Sequence, residues 1–179
     1  MTATFRDPAR LVFLDRLTQL YNWWFMAQYL KERFGWLAAQ EIPLSVILLD
    51  LDDFKQVNEA HGRLAGDVVL RQVAQLLLEG RRRGGYAVRY AGDEFFVFLE
   101  GLDAAGAMSI AEEIRTRVGS QALVVPHAAN AIPVTTSLGV VTFPEEAQTA
   151  AGLIEKARRA LAHAKRLGKN RASRDVGER

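Results

Sequence analysis

At 179 residues, 49% of them hydrophobic and 25% charged, the chain has the length and composition of one globular domain with a real core. Its 23 Lys and Arg against 21 Asp and Glu leave a net charge of only +2, too little to mark a nucleic-acid or membrane-surface binder. There is no cysteine, which excludes disulfides, thiolate metal sites and cysteine nucleophiles and fits a cytoplasmic protein.

No basic segment leads into an apolar one at the start, so no secretory signal is expected. A membrane helix needs roughly 20 apolar residues, and the best run, Tyr21 to Leu30, falls short and carries Asn22 and Gln28. Residues 8–40 have apolar side chains at threes and fours (Leu11, Leu14, Leu17, Tyr21, Trp24, Phe25, Leu30), which predicts a helix. Leu44 to Leu49 is nearly all apolar and predicts a buried central strand ending at Asp50-Leu51-Asp52-Asp53. A helix should start there, capped by Asp52 or Asp53. Gly62 and Gly66 should punctuate a loop before a second helix, Asp67 to Glu79. Arg81-Arg82-Arg83, between Gly80 and Gly85, reads as solvated surface.

Two short strands, Tyr86–Tyr90 and Phe95–Leu99, flank Ala91-Gly92-Asp93-Glu94, a hairpin turn by length and composition. Ala104–Val118 predicts a helix, Ala122–Val125 and Val134–Phe143 strands, and Ala150–Leu167 a long helix stopped by Gly168. These elements describe an α+β fold, a single sheet flanked by helices with an antiparallel hairpin at its centre.

Asp50 at a strand end, with Asp93 and Glu94 at a hairpin tip, supplies the hard oxygens that Mg²⁺ prefers. Taken singly, each acid serves equally well as a cap or turn residue. Phosphate-binding features accompany them. The helix start after Asp50 presents free backbone N–H groups. Lys55 in its first turn opposes the helix dipole, which an anion nearby would explain. Gly92 has no Cβ to hold a ligand away from the backbone. Lys165 and Lys169 lie four apart across a helix end, within reach of one polyphosphate. A metal, cations and a helix N-terminus together point to phosphoryl or nucleotidyl transfer. No Walker or dinucleotide-binding glycine loop is present, and His61, His127 and His163 lack zinc-ligand spacing. Ser137, in Thr-Thr-Ser-Leu-Gly, is a strand residue without a nucleophile-elbow context.

Several stretches, in order, carry a family likeness. They are Asp15-Arg-Leu-Thr-Gln-Leu-Tyr-Asn22, Asp50-Leu-Asp-Asp-Phe-Lys55-Gln-Val-Asn58, Gly66-Asp67, Arg89-Tyr-Ala-Gly-Asp-Glu-Phe95, Thr136-Ser-Leu-Gly139 and Ala164-Lys165-Arg-Leu-Gly-Lys169-Asn170. The chain resembles the GGDEF family of diguanylate cyclases across nearly its whole length, with residues 1–14 as a helical lead and 15–175 as the domain. The resemblance implies a mostly antiparallel sheet flanked by helices, like adenylyl cyclase catalytic domains and polymerase palms. It implies condensation of two GTP into cyclic di-GMP with release of two pyrophosphates. Carried over, Asp50, the Leu51 carbonyl and Asp93 would hold Mg²⁺ (or Mn²⁺), with Asp93 as general base and Glu94 assisting. Lys55, Lys165 and Lys169 would meet the phosphates, while Phe54, Gly92 and Arg63 line the nucleotide site. Asn58 and Asp67 would read guanine, whose Watson–Crick edge offers two adjacent donors to an ionised carboxylate. One GTP per domain requires a two-fold homodimer, and an upstream sensor or receiver domain is the family's usual companion.

The chain departs from the pattern at Ala91 (usually Gly), Arg63 (usually His), Trp23 (usually Arg) and Arg158 (usually Asp). The R-x-x-D product-inhibition site is reduced to Arg82 and Gly85, which predicts weak or absent product inhibition. Two readings follow: an active cyclase, for which the metal, phosphate and guanine positions are all filled, and a regulatory GGDEF module that binds GTP or dimerises without turnover. A cyclase making another cyclic nucleotide is disfavoured by Asp67.

Overall fold

A computed structural model describes residues 12–80, 85–121 and 131–174. In chain order the elements are α1 (Trp23–Ala39), β1 (Leu44–Leu51), α2 (Phe54–His61), α3 (Arg63–Gly80), β2 (Gly85–Ala91), β3 (Glu94–Glu100), α4 (Ala104–Ser120), β4 (Thr136–Phe143), α5 (Ala150–Arg166) and β5 (Ala172–Arg174). The strands form one sheet in the order β2-β3-β1-β4-β5, antiparallel except for the β4–β5 pair. This is the α+β architecture expected.

All eight residues of β1 are buried, because helices cover both faces of the sheet. Leu44, Val46 and Leu48 pack with Met26, Tyr29 and Leu37 of α1 and Leu153, Ala157 and Leu161 of α5. Ile47, Leu49 and Leu51 face Val69 and Val73 of α3 and Ala111 and Val118 of α4. Strand alternation thus splits one apolar run between two core layers. Asp50, in phase with Leu48, points to the α5 side, and Glu94 is its register partner on β3.

Four expectations need correction. The helix predicted over residues 8–40 starts only at Trp23. Asn22 caps it, its side chain accepting from the N–H groups of Trp24 and Phe25. The Asp15–Asn22 stretch is instead a turn, in which Asp15 Oδ1 accepts from Thr18 N at 2.8 Å and Thr18 Oγ1 at 2.6 Å. Gly66 lies inside α3, since Gly62 alone separates α2 from α3. The hairpin β2–β3 is at one edge of the sheet, and β1 occupies the centre. Asp53 takes the N-cap position of α2 in a left-handed conformation, but its side chain makes no capping bond. β5, three residues long, carried no periodic signal. The strand predicted at Ala122–Val125, Arg81 to Arg83, and His127 lie outside the described residues.

Candidate active site

The end of β1 and the β2–β3 turn meet at one end of the sheet. Asp50 and Glu94 are opposite one another across the β1–β3 ladder, and Asp93 sits one residue earlier in the turn. The turn is closed by Gly92 at φ +53°, a left-handed conformation that glycine adopts without strain. Arg89 holds it: its Nε and Nη2 donate to the Gly92 carbonyl at 3.0 and 2.9 Å, and Nη1 to Asp15 Oδ1 at 3.0 Å. The Asp15–Asn22 turn is therefore a brace for the acidic hairpin. Sequence reasoning noted both stretches without giving Arg89 or Asp15 a role.

Helix α5 lays two cations over the acids. Lys165 Nζ is 2.7 Å from Asp50 Oδ1, and Arg158 Nη1 is 3.4 Å from Glu94 Oε1, with the Arg158 guanidinium 5.1 Å above the Tyr90 ring. Arg158 thus packs on the signature hairpin itself. Burial pushes the Asp50 carboxyl above the usual carboxylate range; the hydrogen bond from Lys165 opposes this and the charge of Asp93 adds to it. Asp93 is raised for the same first reason, with Lys165 opposing and Glu94 adding. Two carboxylates, Asp50 buried and Asp93 partly so, each disfavoured in its ionised form, call for positive charge.

Among the described residues, no group of three or more His, Cys, Asp or Glu is arranged to hold a metal ion. Two carboxylates and the Leu51 carbonyl are nonetheless a donor set that suits Mg²⁺, which commonly takes one or two carboxylates and completes its octahedron with water and phosphate oxygens. Lys165 on Asp50 also brings positive charge to the pair.

From this end a cleft of about 670 Å³ runs between α2 and α3, lined by Phe54, Lys55, Asn58, Arg63, Asp67, Arg89 and Gly92 among others. It gathers six of the residues expected to meet nucleotide (Phe54, Lys55, Asn58, Arg63, Asp67 and Gly92), while Lys165 stands beside Asp50 outside its lining. Lys55 is fully extended into solvent, 3.6 Å from Glu59. Asn58 is accommodated by Gly66, where a Cβ would collide with its Oδ1. Lys169 lies outside the cleft's lining, its Nζ 2.6 Å from Asp53 Oδ1. Asp52 has a separate role. It is buried and accepts from Thr135 Oγ1, Ser137 Oγ and Asn170 N at 2.7, 2.7 and 3.0 Å, fastening the Lys169–Asn170 turn to the β1 end. The acidic run showed that something was there, but not which acid served structure.

A family model described as "Diguanylate cyclase, GGDEF domain" matches residues 12–171. The chain belongs to the GGDEF diguanylate cyclase domain family. The domain is 36% identical over 130 residues to diguanylate cyclase A of Treponema denticola, covering 73% of this chain and 34% of that protein. It is 34% identical over 160 residues to the response regulator PleD of Caulobacter vibrioides, covering 89% and 35%. The coiled coil and GGDEF domain of DgcB from Caulobacter crescentus, solved in complex with c-di-GMP, superposes with a TM-score of 0.86 at 27% identity, covering 93% of this chain and 87% of that one. The chain spans about a third of the length of these curated relatives. No helix among the described residues is long and apolar enough to cross a membrane.

Proposed function

We propose that the chain is a Mg²⁺-dependent diguanylate cyclase, joining two GTP into cyclic di-GMP with loss of two pyrophosphates across a two-fold dimer, in the cytoplasm. The observation that carries this is the meeting of Asp50, Asp93 and Glu94 with Lys165 at the end of β1 and the β2–β3 turn, whose Gly92 also lines a cleft together with Asn58 and Asp67. The site residues divide the work. Asp67 accepts from the two adjacent donors of guanine, and Asn58 completes the base site. Phe54 and Gly92 wall the cleft, and Gly92 lets the nucleotide approach the hairpin backbone. Lys55 and the free N–H groups at the start of α2 attract phosphate oxygens. Asp50, Asp93 and the Leu51 carbonyl would hold Mg²⁺ or Mn²⁺, which would neutralise charge on the triphosphate. Lys165 then leaves Asp50 for the phosphates, with Lys169 beside it. Asp93 takes the proton of the 3′-hydroxyl that attacks the other GTP's α-phosphate, and pyrophosphate leaves.

One cleft holds one GTP, so a second copy must bring its own to the same place. A two-fold arrangement makes the two attacks equivalent. An upstream sensor or receiver segment would set how often the copies align, and PleD's designation as a response regulator supports that kind of input. Product inhibition through an R-x-x-D site is weak or absent. A Cβ at Gly85, the position of the missing acid, would come within 3.0 Å of the Phe98 carbonyl. The test is incubation of the purified chain with GTP and Mg²⁺, with chromatography for cyclic di-GMP beside Asp93→Ala. Product from the unmodified chain and none from the variant is expected. GTP binding without product at high protein concentration would contradict the cyclase reading and leave a regulatory GTP-binding module.

A further inference from the structure

Of the cations that line the cleft, two are already engaged. Arg89 is held by Gly92 and Asp15, and Lys55 has Glu59 as its neighbour. Arg63 is exposed at the first position of α3, where a positive charge opposes the helix dipole. It stands one turn before Asp67 on the same face, a spacing at which arginine and aspartate readily pair. They do not pair here, and among the described residues neither has a hydrogen bond or ion pair. A donor and an acceptor one helical turn apart in the cleft, each with its bonding capacity unspent, fit a ligand edge with acceptors at one end and donors at the other.

Guanine has such an edge. N1–H and the 2-amino group donate on one side of O6, and N7 accepts on the other. An arginine fork binds O6 and N7 together, whereas a carboxylate binds the two donors. We infer that Arg63 is a specificity residue of the nucleotide site, donating to O6 and N7 of guanine while Asp67 accepts from N1–H and the 2-amino group. This rests on the cyclase reading, because it presumes that the cleft holds GTP. Adenine fails on both sides: it offers an amino group where Arg63 needs an acceptor and an unprotonated nitrogen where Asp67 needs a donor.

The probes are 3′-deoxy-GTP, which cannot condense, and its 7-deaza counterpart, which lacks the N7 acceptor. Binding of each is measured by calorimetry in Mg²⁺ to the unmodified chain, Arg63→Ala and Arg63→Lys. The unmodified chain should prefer the N7-containing nucleotide several-fold. Arg63→Ala should bind 3′-deoxy-GTP about tenfold more weakly and lose the preference. Arg63→Lys, keeping the charge but not the fork, should recover part of the affinity and little of the preference. The inference is overturned if the unmodified chain has no preference, or if Arg63→Ala weakens both nucleotides equally and so reports a phosphate contact. If neither nucleotide binds the unmodified chain and Asp67→Ala changes nothing, the cyclase reading itself fails.

Discussion

Asp93 carries a cost to the fold that its proposed role at the site would explain. Burial raises its folded-state pKa, so the native chain holds a proton there more tightly than the unfolded chain does. Stability therefore falls as pH rises through the window between the ordinary carboxylate value of about 3.9 and the raised one, and the ionised group is a net cost at neutral pH. Asp93→Asn should raise the Tm at pH 7, and the gain should vanish in scans below that window. The same change should lower cyclic di-GMP formation by about 10²- to 10⁴-fold, the usual loss on removing a general base. An unchanged or lower Tm at pH 7 would contradict the electrostatic reading of the turn. The charge of Lys165, on Asp50, offsets part of this cost.

Between elements, the α2–α3 junction shapes the part of the cleft proposed to hold the base. Gly62 lets α3 follow α2 directly, and Gly66, one turn into α3, leaves room for the Asn58 amide. Gly66→Ala should raise helix propensity by about 1 kcal/mol, and its Cβ would displace Asn58 and press on Phe54 Cζ, 3.0 Å away. We expect GTP to bind about fivefold more weakly with the Tm little changed, one neutral hydrogen bond being worth about 1 kcal/mol. A Tm collapse, or unaltered GTP affinity in calorimetry, would contradict this geometry. Elements of this kind were largely legible in sequence. β1 announced itself because a strand buried on both faces must be apolar throughout, and α5 because a single amphipathic face recurs over 17 residues. The start of α1 was misread because Leu11, Leu14 and Leu17 keep helical spacing through a turn that side-chain bonds, not periodicity, hold. The hairpin's edge position was hidden too, since strand order depends on pairings distant in sequence. The site acids could be found as a group, but Asp52 could not be told from Asp50 without seeing Thr135, Ser137 and Asn170 around it.

At the scale of the whole molecule, the sheet brings residues more than 100 positions apart, Asp50 and Lys165, into contact at one end. On the proposed reaction a single copy would be incomplete, because the 3′-hydroxyl of one GTP per cleft would need the α-phosphate of a second. Under that proposal, alignment of two copies is both the requirement of the reaction and its natural point of control. The relatives extend well beyond the length matched here, which leaves room in such proteins for segments that pair or separate two domains. The most direct test of the two-substrate reaction is mass spectrometry of the product made from an equal mixture of ordinary and isotopically heavy GTP, with Mg²⁺. Cyclic di-GMP of mixed mass, in about twice the amount of either uniform species, is the result predicted. Absence of any mixed-mass cyclic dinucleotide, with GTP recovered intact or only hydrolysed, would contradict it.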